Sequence, residues 1–291
     1  MKTKKSIALV LSSGGSKGLA HIGVIKELEK HGFKISSISG SSIGAVVGGL
    51  FAMGKLTEYT NWVKALDKRA VWGLMDFTIS TNGLLKGERV LDEMKAFIPD
   101  LPIEKMNIPF AAIASDILNE KEVVFTSGSY YEAIRASISI PSILTPVKYK
   151  DTILVDGGVL DPVPVEYVKR NDNDILVVVN LFGDAEEKAK KIDLYDENTT
   201  SGKIKGIIKS ITNLISSGDR RSIGYFSLFD ITTSAMVHKI AKHNIARHQP
   251  DILINIPKNS ASTFDFHKAE ELIKIGEDVA NKAILEYLNH I

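Results

Sequence analysis

No cysteine occurs among the 291 residues. That absence excludes disulfides and thiolate metal sites, and it is compatible with a reducing compartment. An excess of one charge is also missing. Lys and Arg number 36, Asp and Glu 35, and the formal net charge is +1, so no global field selects nucleic acid or an acidic partner. No apolar run approaches the roughly 20 residues of a membrane span. The start, "MKTKKSIALVLSSGG", has the basic opening of a secretory signal. Its apolar run, Ile7 to Leu11, is shorter than the roughly 7–15 residues of such a signal, and it reads as a buried first strand. The expected compartment is the cytoplasm. What remains is an ordinary globular composition, 44% hydrophobic and 24% charged, sufficient to bury a core.

The patterning is that of an α/β protein. "SIALVLSSGG" is a short β-branched run ended by glycines, as expected of an interior parallel strand. In the segment after it, Leu19, Ile22, Ile25 and Leu28 form a helical stripe that Gly32 ends. "FKISSISG" reads as a second strand and "SSIGAVVGGLFAMG" as a buried helix. This alternation predicts a mainly parallel sheet with crossover helices. Further strands are expected at "PFAAIAS", "EVVFT", "TILVD", "DILVVVNLF" and "ILINIP". Helices are expected over Glu88–Phe97, Tyr130–Ser137, Val163–Arg170 and Asp265–Leu288. No domain boundary stands out, so residues 1–291 are read as one domain. Its later part, from about residue 200, is more helical, and a polar segment over 183–203 is read as mobile.

Two glycine-rich turns carry the chemistry. In "GSSIG" the pattern G-x-S-x-G centres on Ser42, flanked by Gly40 and Gly44; Ser41 does not fit it. The motif sits between a strand and a helix, where a nucleophilic serine requires it, and the helix N-terminus adds partial positive charge beside an oxyanion. The plain alternative is a helix-capping serine. "SSGGSKG", Ser12 to Gly18, also joins a strand end to a helix start. Both turns belong on the carboxyl edge of a parallel sheet, where ligands bind, and the free N–H groups of the second could cradle an oxyanion. The Walker pattern fails because Gly18 follows Lys17, and the dinucleotide pattern fails at Ser16.

The base for Ser42 is open on residue patterns alone. Of the seven histidines, His21 and His31 precede the serine. His238, His243 and His248 are spaced by five, which does not build a zinc site. His267 is the best-placed histidine after the last strand. Asp156, at the end of "TILVD" and before Gly157 and Gly158, could instead take the proton directly; the plain reading of such a segment is a turn.

Four segments in order resemble the patatin-like phospholipases, in their compact bacterial branch. "SGGSKG" (Ser13 to Gly18) is similar to the glycine-rich oxyanion loop, "GSSIG" to the nucleophile motif, "ASISIP" (Ala136 to Pro141) to the Ala-Ser…Pro block, and "DGG" to the aspartate motif. The resemblance spans Ser13 to Gly158, about half the chain. It implies a three-layer α/β/α variant and acyl-ester hydrolysis of phospholipids or related lipids by a Ser42–Asp156 dyad. Gly14, Gly15 and Ser16 would hold the oxyanion, and Lys17, Gly18, Gly40, Gly44, Gly157 and Gly158 would support the motifs. No metal and no cofactor is implied. Two positions depart from the family pattern: Ser13 stands where a first glycine is usual, which would strain the loop if that position needs positive φ, and Lys17 replaces the commoner arginine.

Asp116 is expected to cap a loop, and Ser137 and Pro141 to shape the segment that carries Asp156. In "GKIKGIIKSITNLISSG", Ile204, Ile207, Ile208, Ile211, Leu214 and Ile215 share a helix face flanked by Lys203, Lys205 and Lys209. That helix could meet a lipid surface peripherally or simply cover the core. The expected partner is thus a lipid ester, with membrane-surface contact and no nucleic acid; the sequence does not specify an oligomeric state. Two further readings stand beside hydrolysis: acyl transfer by the same dyad, and a non-catalytic lipid- or anion-binding protein.

Overall fold

The computed structural model of the chain describes residues 5–78, 83–184 and 225–290. A mixed eight-stranded sheet organises it, in the order β10 (Ile252–Pro257), β9 (Ile175–Gly183), β1 (Ser6–Leu11), β2 (Lys34–Ser41), β4 (Phe110–Asp116), β8 (Thr152–Asp156), β7 (Val147–Tyr149), with β5 (Lys121–Phe125) also on β4. The five strands from β10 to β4 are mutually parallel. β5, β8 and β7 add antiparallel pairings. A separate short ribbon pairs β3 (Gly83–Leu85) with β6 (Ser142–Leu144).

The central strands are apolar on both faces because both are covered. Ile7, Leu9 and Leu11 of β1 join the larger core, whereas Ala8 and Val10 join a smaller one on the opposite face. β9 divides in the same way, with Val177, Val179 and Leu181 on one side and Leu176 and Val178 on the other. This period-two division between two cores makes three layers. The larger core is closed by α1 (Ala20–Lys30), α2 (Ile43–Ala52), α3 (Leu56–Lys64), α5 (Glu88–Lys95), α6 (Tyr130–Ser137) and α8 (Ala269–Asn289). The smaller is closed by Val163, Val165 and Val168 together with Ala241 of α7 (Tyr225–His248). The short α4 (Lys68–Leu74) completes the helices described.

Most expected elements occur within a residue or two of their expected bounds. One does not. Val163–Arg170 is not a helix but a connection with a single 3-10 turn at Val165–Tyr167. Pro162 precedes the segment and Pro164 is its second residue. The residue before a proline is pushed out of the helical region, and Pro164 itself has a non-helical ψ of 65°. Val163, Val165 and Val168 instead plug the smaller core. The last helix also starts later than expected, at Ala269, after a 3-10 turn over Phe266–Lys268. α3, α4 and the short strands β3, β6 and β7 were not expected, and α7 falls within the later part expected to be more helical. The lysine-flanked face of Lys203, Lys205 and Lys209, and residues 185–203 of the segment expected to be mobile, lie outside the described residues. Gly183 itself closes β9. Among the described residues no helix is long and apolar enough to cross a membrane.

α1 and α8 approach so closely that their backbones nearly touch. A Cβ on Gly23 would lie 2.0 Å from the Ile273 carbonyl oxygen, and one on Gly276 would lie 2.1 Å from that of Ala20. The contact fixes α1, and through it the loop that precedes it. Gly276→Ala is therefore expected to lower unfolding free energy by about 1–3 kcal/mol through overpacking, measured by urea denaturation. An unchanged midpoint would contradict this helix contact.

Candidate active site

β4 brings the two central residues of the site together. β5 occupies one edge of Ala112–Asp116. β2 and β8 must therefore follow one another along the other edge, β2 paired as far as Ile113 and β8 beginning at Ala114. β2 runs parallel to β4 and β8 antiparallel, so their carboxyl ends meet head-on. The registers are Ser41 opposite Ile113 and Asp156 opposite Ala114. Ser42 leaves β2 at the first point beyond that meeting.

Ser42 has φ 55° and ψ −124°, and its residue is 4% exposed. A non-glycine residue in that region is strained by about 1–3 kcal/mol, and the surroundings must hold it. The turn is compressed: a Cβ on Gly40 would lie 2.4 Å from the Gly44 carbonyl carbon, and one on Gly44 would lie 2.2 Å from the Leu11 oxygen. The Ser42 N–H donates to Ser137 Oγ at 2.9 Å, and Ser137 Oγ donates to the Ile113 carbonyl at 2.5 Å. The Ser42 hydroxyl donates to Asp156 Oδ2 at 2.5 Å. Ser41 points elsewhere. Its Oγ lies 2.5 Å from where a Gly157 Cβ would be, and among the described residues it has no hydrogen-bond partner.

Asp156 is held at three points. Its N–H donates to the Ser139 carbonyl at 2.9 Å, Oδ1 accepts from Gly158 N at 2.7 Å, and Oδ2 accepts from Ser42. Burial raises its pKa from an ordinary 3.8 to about 6, against the opposing pull of the Ser42 and Gly158 hydrogen bonds. Arg135 holds this support in place. Nη1 donates to Ser139 Oγ at 2.6 Å, while Nη2 reaches the carbonyls of Lys86 and Thr145 at 2.5 and 3.0 Å. Neither Arg135 nor the Ser137 bond to Ser42 was foreseen from the sequence; the "ASISIP" block marked the segment without giving these roles.

The glycine loop lies against the ends of β9 and β10. A Cβ on Gly14 would strike Leu181, and one on Gly15, where φ is 61°, would crowd Thr263. The Ser16 N–H donates to the Thr263 carbonyl at 2.9 Å, and its hydroxyl donates to that of Ser262 at 2.7 Å. Ser16 thus anchors the loop, and its N–H is not a free oxyanion donor as expected. Among the described residues no acceptor is bonded to Gly14 N or Gly15 N. Ser13 does not adopt positive φ, so serine is not strained there. Gly18 packs on Ile43, where a Cβ would come within 2.2 Å of the side chain. Lys17 Nζ donates to the carbonyls of Leu181 and Lys258 at 3.2 and 3.3 Å and lies 5.6 Å from the centre of the Phe182 ring. Burial, helped by Lys258, lowers its pKa to about 8.

The other candidates fall elsewhere. Asp116 takes hydrogen bonds from Leu118 N, Asn119 N, Asn119 Nδ2 and Thr152. Burial opposes its charge, but these bonds outweigh burial and hold its pKa at about 2, so it caps the β4–β5 turn. No histidine bonds to Ser42 or Asp156 among the described residues. His21 is fully buried with Nε2 2.9 Å from the Ser12 carbonyl, and burial lowers its pKa to about 4. His31 meets Asn281 at 2.9 Å, and His238 packs edge-on against Phe182. Beside the serine, an apolar cavity of about 170 Å³ begins at Gly15 and Ile43 and extends among Val46, Trp62, Leu91 and Met94.

Residues 9–169, more than half of the chain, match the family model described as patatin-like phospholipase. The chain belongs to that family. An uncharacterised NTE family protein of Mycobacterium tuberculosis is 31% identical over 96% of this chain and 91% of its own length. Lysophospholipase NTE1 of Lodderomyces elongisporus is 28% identical over 99% of this chain, which corresponds to 20% of that longer protein. A crystal structure of VipD from Legionella pneumophila aligns over 98% of this chain and 67% of its own, with 14% identity and a TM-score of 0.48. As a patatin-like phospholipase the chain is a lipid ester hydrolase.

In this patatin-like site the buried carboxylate is a liability for stability. An acid whose folded pKa lies above its unfolded value loses stability as pH rises from the unfolded value through the folded one. For Asp156 that window runs from 3.8 to about 6, and above it the penalty is up to about 3 kcal/mol. Asp156→Asn removes the charge; its amide oxygen takes the place of Oδ1 as acceptor from the Gly158 N–H, and its NH2 takes the place of Oδ2 and donates to Ser42 Oγ. The variant is expected to be more stable than the parent at pH 8, with the difference shrinking towards pH 4, as read by urea unfolding at both pH values. A variant less stable at pH 8 would contradict the burial assigned here.

Proposed function

We propose that the chain hydrolyses carboxylic esters of phospholipids or related lipids through a Ser42–Asp156 dyad and an acyl-enzyme. The observation that carries the reading is the 2.5 Å hydrogen bond from Ser42 Oγ to Asp156 Oδ2 at the strained turn. The Asp156 carboxylate takes the seryl proton as Ser42 Oγ attacks the ester carbonyl. The oxyanion is met by the Gly14 and Gly15 N–H groups and by those of Ile43 and Gly44 at the start of α2, ahead of the Ala45 and Val46 N–H groups that donate to the Ser42 carbonyl. Asp156 then protonates the departing alcohol. In the second half it takes a proton from water, hydroxide adds to the acyl carbon, and the proton returns to Ser42 as the fatty acid leaves. The apolar cavity beside Ile43 accommodates the acyl chain. The named activity of Lysophospholipase NTE1 supports a monoacyl phospholipid as the first substrate to try.

Asp156 must be ionised to act as base, so kcat/KM should rise with pH through about 6. Ser42→Ala and Asp156→Asn should each lower turnover of a lysophospholipid by about three orders of magnitude or more. Ser41→Ala and His267→Ala should retain most of it. Covalent labelling by a fluorophosphonate should disappear with Ser42→Ala, slow strongly with Asp156→Asn, and persist in Ser41→Ala and His267→Ala. A folded His267→Ala protein without turnover would overturn the dyad. Release of fatty acid, rather than an acylated acceptor alcohol, separates hydrolysis from acyl transfer.

A further inference from the structure

The wall between the acyl cavity and solvent is apolar on both sides. In α4 and the residue after it, Val71, Leu74 and Met75 line the cavity, while Trp72 on the outer side is 42% exposed. Phe77 follows, 59% exposed and stacked on Trp72 with ring centres 6.3 Å apart and 19° between planes. In β3, Leu85 faces the cavity and its neighbour Leu84 is 59% exposed. Phe77 bridges Leu85, and Thr78 N donates to the Leu84 carbonyl at 2.9 Å, so α4 and β3 form one continuous wall. Phe264 lines the same cavity near Gly15 and is also partly exposed. A wall one helix thick that separates an apolar cavity from water normally turns a polar face outward. Here the outer face carries two aromatic rings and a leucine.

We propose that Trp72, Phe77 and Leu84 insert into the surface of a lipid bilayer and carry the cavity to its substrate. The inference rests on the lipid-hydrolase reading and adds the surface through which substrate arrives. Continuity with the cavity is the first argument. A lipid acyl chain leaving the bilayer beneath this wall passes from one apolar medium into another without crossing water, which removes the largest barrier to its transfer. Charge is the second. Lys68, Arg69 and Lys86 are exposed around the patch. The nearby carboxylates of Asp67 and Asp76 accept hydrogen bonds from backbone N–H groups, Asp67 from Ala70 and Asp76 from Gly87, Glu88 and Arg89. These bonds turn the two carboxylates towards backbone without removing their charge, and Glu88 and Arg89 are exposed beside them. Lys68, Arg69, Lys86 and Arg89 against Asp67, Asp76 and Glu88 leave the rim with a small excess of positive charge for lipid phosphates. The aromatic rings occupy the depth just below, as interfacial segments do.

The test uses the full chain with Ser42→Ala, so that no lipid is consumed. Co-sedimentation with phosphatidylcholine vesicles, with and without phosphatidylglycerol, is compared for that protein and for the same protein carrying Trp72→Ser, Phe77→Ser and Leu84→Ser. The triple change should weaken partitioning at least about tenfold on both kinds of vesicle, and added salt should weaken the unsubstituted protein less than the triple change does. With Ser42 restored, the triple variant should hydrolyse a water-soluble short-chain ester at the parental rate. Should the triple variant misfold, brominated phosphatidylcholine provides a second measurement. The chain has two tryptophans, so quenching that is present in the parent and lost in Trp72→Phe reports insertion of Trp72. Unchanged partitioning and unquenched Trp72 would overturn the proposal. So would a parent that forms dimers dispersed by the triple change and ignores vesicles, or binding abolished by salt and by changes at Lys203, Lys205 and Lys209 alone. Failure of the parent reading has a separate sign: loss of Ser42 would then leave short-chain ester hydrolysis intact.

Discussion

Two strands meet end to end on one edge of β4, at Ile113 and Ala114, and the site depends on that meeting. A parallel strand and an antiparallel strand sharing one edge bring their carboxyl ends face to face, so Ser42 and Asp156, 114 residues apart in sequence, need no long side chain to touch. The meeting point also exposes the Ile113 carbonyl. Ser137 Oγ occupies it and in turn accepts the Ser42 N–H. A side chain at position 157 would collide with the same carbonyl at 2.1 Å. The glycine of "DGG" therefore answers to β4 rather than to any need for a turn.

Such a junction permits a two-residue machine but sets demands on what surrounds it. The serine is strained and the carboxylate is poorly solvated, two unfavourable terms that a folded protein tolerates only against larger favourable ones. The favourable terms come from the packing of β1, β2 and β9 between two cores and from the rigid supports around the site. Arg135 ties the Ser139 segment to both halves of the β3–β6 ribbon through the carbonyls of Lys86 and Thr145. The wall of the apolar cavity and the backbone that holds Asp156 are thereby parts of one hydrogen-bonded assembly.

Much of this was legible in the residues. Short apolar runs gave β1, β2, β4 and β9, interior parallel strands with no solvent-facing side to disguise them, and equally β8, which is antiparallel, and the edge strand β10. Ser42 was legible because the turn needs glycine two residues either side, and Ser41 fails that test. The hydrogen-bond partner of Ser42 was not legible from spacing. Asp156 and His267 both follow strands, and only strand register, which residue patterns do not encode across 114 positions, distinguishes them; the family resemblance supplied the choice. The Val163–Arg170 helix failed for a local reason that the prolines already carried. α4 and β3 escaped notice because seven- and three-residue elements hold too few positions for a period to emerge.

Those two overlooked elements wall off the apolar cavity that the glycine loop borders. An apolar cavity of this kind stays open in water only if the neighbouring loop is kept from collapsing onto it. Loop residues Gly14 and Gly15 lie between that cavity and β9, and backbone freedom there would let the loop fold inward. Ser16 is anchored to Thr263 and Ser262, and Lys17 to the carbonyls of Leu181 and Lys258. These anchors draw the loop towards the strand ends and away from the cavity. Lys17 is partly buried, and that burial, helped by Lys258, lowers its pKa to about 8. The lysine at this position needs no planar fork to anchor the loop, since two carbonyl oxygens set at separate strand ends suit the rotatable donors of an ammonium.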